Sequence, residues 1–315
     1  MKALYFERFG GPQVLQYGDL PDPASGDDTA VVRTTAIGLN FADVYRRQGR
    51  YHLAGTPPYI AGYEAAGIVV DGGGYPPAWL HEGRRVAFAD SPFANAELVA
   101  VPYDKLIPLP DDVSDETAAA VLLQGLTAQY LTRDSYRITS GDVAVVHAAA
   151  GGVGLLLLQM SKHAGAYVIA FASTAEKCRA ALAYGADEAY TYTEWPGRAQ
   201  NAGVIYDSVG TTLDESIAAV AARGTVVFYG MAGGDPNPVD PRVLMDGSKT
   251  LTGGDLWNVL TSRDERVRRA EELFDLVRSG AIRVPIAGRY ALSLGATAHE
   301  YLESRAAIGK VLLIP

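Results

Sequence analysis

The chain is poor in several features that would narrow its setting. It has one cysteine, Cys178, so no disulfide can form within it, and a reducing compartment is expected. No apolar run reaches the ~18 residues of a membrane span. The opening "MKALYFERFG" holds no apolar stretch of signal-peptide length. A cytoplasmic protein without a membrane partner is the expectation. Basic charge is in deficit, with 27 Lys and Arg against 36 Asp and Glu and a formal net charge of −9. A protein that tracks a nucleic-acid backbone needs a basic stripe. The one basic cluster, "RDERVRRAEEL" from Arg263, is interleaved with acids and reads as a solvated helix face, so no nucleic-acid partner is expected. Neither a G-x-S-x-G elbow nor an H-E-x-x-H pair occurs, and the histidines are scattered. His147 lies in an apolar run and reads as a satisfied core residue.

What is present is small residues and a change of rhythm. At 315 residues, two domains are the default. Up to about residue 115 the chain is β-rich: "TAVVRTTAIGL" (29–39), "GIVVD" (67–71), "RVAFA" (85–89) and "AELVAVP" (96–102) are bounded by Gly, Asp and Pro. Ser114 then fits a helix N-cap. From about 140, strand and helix alternate. "DVAVVHA" is a continuous apolar run, as in a strand buried on both faces, followed by helix "GVGLLLLQMSKHAG", strand "AYVIAFA" and helix "AEKCRAALAYG". "EAYTY", "GVIYDSVG", helix "LDESIAAVAARG" (213–224) and "TVVFYG" continue the series, which predicts a parallel sheet with helices on both faces. After a helix over about 263–280 the pattern turns β-like again, and the last strand, "KVLLIP", is expected to return to the first domain.

The knot "AAAGGVG" between the first apolar strand and its helix fits a dinucleotide fingerprint. Ala149, Gly151 or Gly152, and Gly154 supply the tight turn, the close approach to pyrophosphate and the close helix–strand packing. Free N–H groups at the helix start then face the anion. NAD-preferring sites place Asp or Glu at the tip of the second strand. Here "FASTAEK" offers Ser173 and Thr174, with Lys177 one turn on, which suits the 2′-phosphate of NADPH. Ser173 with Glu176 also fits a capping box.

Taken together, "AIGLNFADVYRRQG", "AGYEAAGIV", "LLQGLTAQYL", "AAAGGVG", "VIYDSVG" and "ESRAAIGKVLLIP" give a resemblance that runs nearly end to end. The chain resembles the zinc-independent quinone oxidoreductases of the medium-chain dehydrogenase/reductase superfamily, the group that includes ζ-crystallin. The resemblance implies an α/β protein with a Rossmann-type doubly wound parallel sheet and a GroES-like β-rich domain formed by both chain ends. On this reading 1–115 and 281–315 form the GroES-like catalytic domain, 116–280 binds NADPH, and the cofactor lies in the cleft between them. It also implies a homodimer paired through an edge strand, at 224–230 or near 250.

The superfamily's zinc enzymes place a cysteine where this chain has Asn40 and a histidine where it has Tyr63. Neither residue replaces such a ligand, so no metal is expected. The resemblance puts Lys177, Tyr192 and Arg305 on the 2′-phosphate, and Gly152 and Val153 in the pyrophosphate turn. Ser208 joins the cofactor contacts, Thr127 sits near the nicotinamide, and Tyr229, Gly230 and Met231 line its ribose. Without a metal, charge developing on a carbonyl oxygen needs hydrogen-bond donors. The resemblance offers the Asn40 amide and the Tyr45 and Tyr51 hydroxyls, with Gln124 as a further donor and Asp43 orienting its neighbours or the nicotinamide ribose. The activity implied is NADPH-dependent, metal-free reduction of a quinone. Reduction of an enone or enal double bond, or a catalytically idle NADPH-binding structural or sensing role, remain open alternatives. The chain departs from the family at 71–86, at 251–260 and at 192–207, where one helix is expected to be reduced or missing.

Overall fold

The computed structural model describes residues 1–199 and 201–315. The chain forms two compact units. One takes Met1–Gln124, Leu260–Phe274 and Val284–Pro315; the other takes Gly125–Val259 and Asp275–Arg283.

Along the chain, the first elements are β1 (Lys2–Phe6), β2 (Gln16–Asp19), β3 (Thr29–Leu39), α1 (Phe41–Arg47) and β4 (Tyr59–Ile60). Next come β5 (Glu64–Asp71), β6 (Arg85–Ala89), β7 (Leu98–Pro102), β8 (Ile107–Pro108) and α2 (Asp115–Tyr130). The alternating stretch is β9 (Val143–Val146), α3 (Gly152–His163), β10 (Tyr167–Ala172), α4 (Ala175–Ala183), β11 (Glu188–Thr191), β12 (Ala202–Asp207), α5 (Leu213–Ala219), β13 (Val220–Phe228), α6 (Pro241–Gly247) and β14 (Thr250–Gly253). The chain closes with α7 (Arg263–Arg278), β15 (Ile286–Ala291), α8 (Gly295–Glu303) and β16 (Lys310–Ile314).

In the first unit, β3 is the hub. It pairs antiparallel with β5, β7 and β16, inside a sheet ordered β15-β16-β3-β5-β6-β8. The last strand thus lies beside one near the chain start. Leu4, Phe6, Val32, Ile37, Leu39, Phe88, Val101 and Leu313 meet in one core. Each such side chain contributes about 1.5–3 kcal/mol on burial.

The second unit is a fully parallel sheet ordered β11-β10-β9-β12-β13-β14. Numbered from β9, that is the 3-2-1-4-5-6 order of a doubly wound Rossmann sheet. The order reverses between β9 and β12, and ligands bind where strand ends splay at such a switch point. Ala144, Val145 and Val146 of β9 are fully buried, which explains their unbroken apolar run.

The structure departs from two local expectations and meets a third. The helix expected over 213–224 stops at Ala219, because Val220 takes an extended ψ of 143° and opens β13 beside Ala202. The cap of α4 is Thr174, whose hydroxyl accepts from the Lys177 N–H at 3.2 Å, and not a Ser173–Glu176 box. Between β11 and β12 the described residues form only a short 3-10 turn, Tyr192–Glu194, so that connection is reduced as expected. No helix among the described residues is long and apolar enough to cross a membrane.

Candidate functional site

The second unit's turn is built from β9 outward. Ala148 has φ +47°, a left-handed conformation that L-residues avoid. Its carbonyl accepts from the Gly151 N–H at 2.8 Å, and α3 begins at Gly152. A Cβ on Gly154 would lie 2.4 Å from the Ala148 oxygen, so only glycine allows α3 to sit this close to the turn. The N–H groups of the first α3 turn, at Gly152, Val153 and Gly154, have no carbonyl four residues back within the helix. They form an anion-binding end beside the switch point. The residues therefore fit a pyrophosphate on geometry.

At the tip of β10, Ser173 is exposed and Lys177 is partly buried in the first turn of α4. No carboxylate stands at the tip, and Glu176 is exposed. Tyr192 follows β11, and its hydroxyl oxygen accepts from the Ala148 N–H at 2.9 Å. It thus sits against the turn itself, where a cofactor phosphate would come. At the end of β12, the Ser208 carbonyl accepts from Ala232 N–H at 2.9 Å and the Asp207 carbonyl from Tyr229 N–H at 3.0 Å. Ser208, Tyr229, Gly230 and Met231 are brought to one place this way. Thr127 is buried on α2.

His147 lies at the C-terminal end of β9 and is fully buried. Its Nδ1 is 3.3 Å from the Tyr192 hydroxyl and its Nε2 3.2 Å from the Ser216 hydroxyl. Burial pushes its pKa down to about 4, against the opposing pull of Asp207. It is a core residue, and its two ring nitrogens are both engaged.

The first unit holds the candidate catalytic residues, of which Asn40 and Asp43 lie in a buried charged cluster. The Asn40 side-chain N–H groups donate to the Gly38 carbonyl at 3.1 Å and to Glu64 Oε2 at 2.9 Å. Its Oδ1 accepts from Lys310 Nζ at 2.8 Å, and Lys310 also pairs with Glu64 at 2.6 Å. An ammonium only donates, so Lys310 fixes which way the amide faces. Both amide protons are in use, so the donor expected at Asn40 is committed within the protein, and its contacts are those of a positioning residue. The Asp43 carboxylate accepts from the Asn40 backbone N–H at 2.9 Å and from Arg46 at 3.1 Å. Burial raises the pKa of Asp43 and Arg46 opposes the rise. The Arg46 guanidinium lies 3.6 Å over the Tyr63 ring and 5.1 Å from that of Tyr51. Tyr45 packs edge-on against Phe41, with ring centroids 5.3 Å apart. Gln124 is buried on α2, and its Oε1 has no hydrogen-bond partner among the described residues. Arg305 is exposed after α8, with φ +59°.

Tyr63, at the superfamily's histidine position, accepts from the Ala54 N–H at 3.1 Å. Among the described residues, no three His, Cys, Asp or Glu side chains converge as a metal site. Glu64 and Lys310, both fully buried, were not singled out from sequence. The signal was available: a charge inside an apolar strand run, as in "YEAAGIV" and "GKVLLIP", must find a buried partner.

Comparison with known proteins agrees with both units. A family model described as Zinc-binding dehydrogenase matches residues 152–274, and one described as Alcohol dehydrogenase GroES-like domain matches residues 26–111. A quinone oxidoreductase of Pseudomonas aeruginosa is 39% identical, over 100% of this chain and 99% of its own. A 2-haloacrylate reductase of a Burkholderia species is 33% identical, over 99% of this chain and 98% of its own. The crystal structure of Escherichia coli quinone oxidoreductase complexed with NADPH superposes with a TM-score of 0.96 at 36% identity, covering 100% of both chains.

Proposed function

This chain belongs to the quinone oxidoreductase family of the medium-chain dehydrogenase/reductases, and from that membership we propose that it reduces quinones with NADPH. One observation carries the reading: an anion-binding turn at the switch point of a doubly wound sheet, with Lys177 and no carboxylate at the neighbouring strand tip. NADPH, when bound, supplies the hydride. Gly151, Gly152 and Val153 receive its pyrophosphate. Lys177, with Ser173 and Arg305, serves its 2′-phosphate end, Tyr192 backs the pyrophosphate turn through its bond to the Ala148 N–H, and Thr127, Ser208, Tyr229, Gly230 and Met231 serve its nicotinamide end. Tyr45 and Tyr51 donate hydrogen bonds to the acceptor oxygen as charge builds there, with Gln124 as a further donor. Asn40 and Asp43 hold the start of α1, which places Tyr45. No residue is required as an acid, because water protonates the reduced quinone.

A second reading is favoured by the Burkholderia relative, whose name describes reduction of an acrylate. It is NADPH-dependent reduction of a double bond conjugated to a carbonyl. Turnover of NADPH with 1,4-benzoquinone and 9,10-phenanthrenequinone, set against a simple alkenal, separates the two. Faster alkenal reduction reverses the order of preference, and no oxidation of NADPH by either class refutes both. A cytoplasmic homodimer belongs to the same proposal. It pairs through β14, the last strand of its sheet, whose outer edge has no strand beside it among the described residues. A monomer in sedimentation would refute that part.

A further inference from the structure

We propose that His147 and Ser216 are positioning residues for the phosphate-binding turn. They belong to a buried chain, Asp207–Ser216–His147–Tyr192, that ends on the Ala148 N–H and holds the turn's first residue in place. The proposal rests on the NADPH reading above.

The direction of each bond follows from valence. The Asp207 carboxylate accepts four bonds: Val209 and Gly210 N–H at 2.9 and 3.1 Å, and the Thr212 and Ser216 hydroxyls at 2.8 and 2.7 Å. Ser216 spends its one proton there, so toward His147 its oxygen accepts. Nε2, 3.2 Å away, therefore carries the ring proton. Burial keeps the ring neutral, which leaves Nδ1 as an acceptor 3.3 Å from the Tyr192 hydroxyl. Tyr192 donates to it, and the tyrosine oxygen accepts from Ala148 N–H at 2.9 Å. The His147 and Tyr192 rings lie 6° from parallel with centroids 5.7 Å apart, and Trp195 closes on the imidazole edge-on at 4.3 Å. The chain has little room to slacken.

Ala148 is where this matters. Its φ of +47° aims its carbonyl at Gly151 and against Gly154, and so sets where the first N–H groups of α3 point. Pyrophosphate is common to NADPH and NADH, whereas only NADPH has a 2′-phosphate. A chain that braces the turn must therefore affect both dinucleotides alike.

The test compares dissociation constants of NADPH, NADH and 2′-AMP for the wild type and for Ser216→Ala, His147→Leu and His147→Asn. Ser216→Ala and His147→Leu are expected to weaken NADPH and NADH alike by about five- to tenfold, while 2′-AMP, which has no pyrophosphate, changes by less than about twofold. His147→Asn keeps an acceptor toward Tyr192 and is expected within about threefold of wild type. Nitrogen-15 NMR of the wild type should show His147 protonated on Nε2 and bare on Nδ1, with Ser216→Ala moving it toward the other tautomer. Unchanged affinities, a loss confined to NADPH, an equal loss for 2′-AMP, or a wild-type ring protonated on Nδ1 would overturn the proposal. If His147→Leu does not fold, Ser216→Ala decides, because Asp207 keeps three other donors. A wild type that binds neither dinucleotide refutes the NADPH reading and this proposal with it. A wild type that binds both, with variants that match it, refutes this proposal alone.

Discussion

The two units bury polar groups by opposite means. In the first, Asp43, Arg46, Glu64 and Lys310 are charges packed together with almost no exposure. In the second, Asp207 is surrounded by two hydroxyls and two N–H groups, and a neutral imidazole extends the chain to Tyr192. A buried ion pair is close to indispensable once built, since removing one partner leaves the other charged and unpaired. A buried carboxylate held by several neutral donors loses less when one of them is removed, because the others remain, and a neutral imidazole in the chain makes it sensitive to tautomer. The first arrangement suits a rigid mount for α1, and the second a turn that must present N–H groups at a set angle.

The contrast is most strongly exposed by Lys310→Met. It leaves Glu64 in the core without its ammonium and should destabilise the protein by about 3–5 kcal/mol in urea unfolding. The double variant with Glu64→Gln should recover much of that loss. A loss no greater than that of Ser216→Ala would erase the distinction between the units.

Acid comes next, and each unit supplies one histidine. Burial lowers the pKa of His147 to about 4 and of His299 to about 3, with Arg47 adding to the second. Both are neutral in the fold, while the unfolded chain takes up a proton near ~6.5. Their stabilisation is thus complete above that pH and lost as pH falls from there toward about 4 and about 3. Each contributes a slope of at most about 1.4 kcal/mol per pH unit. Asp43, whose pKa burial raises, works in the opposite direction at the acid end. Unfolding free energies measured at pH 7, 6 and 5 check this, and His147→Asn should reduce the slope.

A smaller effect is expected at the strand tip. Lys177→Ala should weaken NADPH by about 1.5–3 kcal/mol, roughly 10- to 150-fold, and NADH far less. Equal losses would move the 2′-phosphate elsewhere. The smallest is none at all: a chelator or added zinc should leave quinone turnover unchanged, because Asn40 and Tyr63 stand where the superfamily's zinc enzymes have ligands.

Much of the second unit was readable before folding. An unbroken apolar run such as "DVAVVHA" excludes a half-exposed strand, and small residues between such a run and a helix fit a tight phosphate turn. The second half of 213–224 is Ala-rich and helix-like in sequence, and only pairing with β12 turns it into strand. In the first unit, the residues of "LNFADVYRRQG" were read for the chemistry of their side chains. Which of those side chains are free to act was not legible, since Asn40 is bound by Lys310, 270 positions away.

From sequence alone followed the alternation of strand and helix, the tight small-residue turn before α3, the lysine in place of an acid, and the resemblance that carried the rest. These are local patterns, and backbone sterics with side-chain periodicity are enough to dictate them. Only the tertiary structure decided which polar groups are spent on one another. A hydrogen-bond donor has the same formula whether it faces a ligand or a buried carboxylate, and chain folding alone brings Asn40 to Lys310 and His147 between Ser216 and Tyr192.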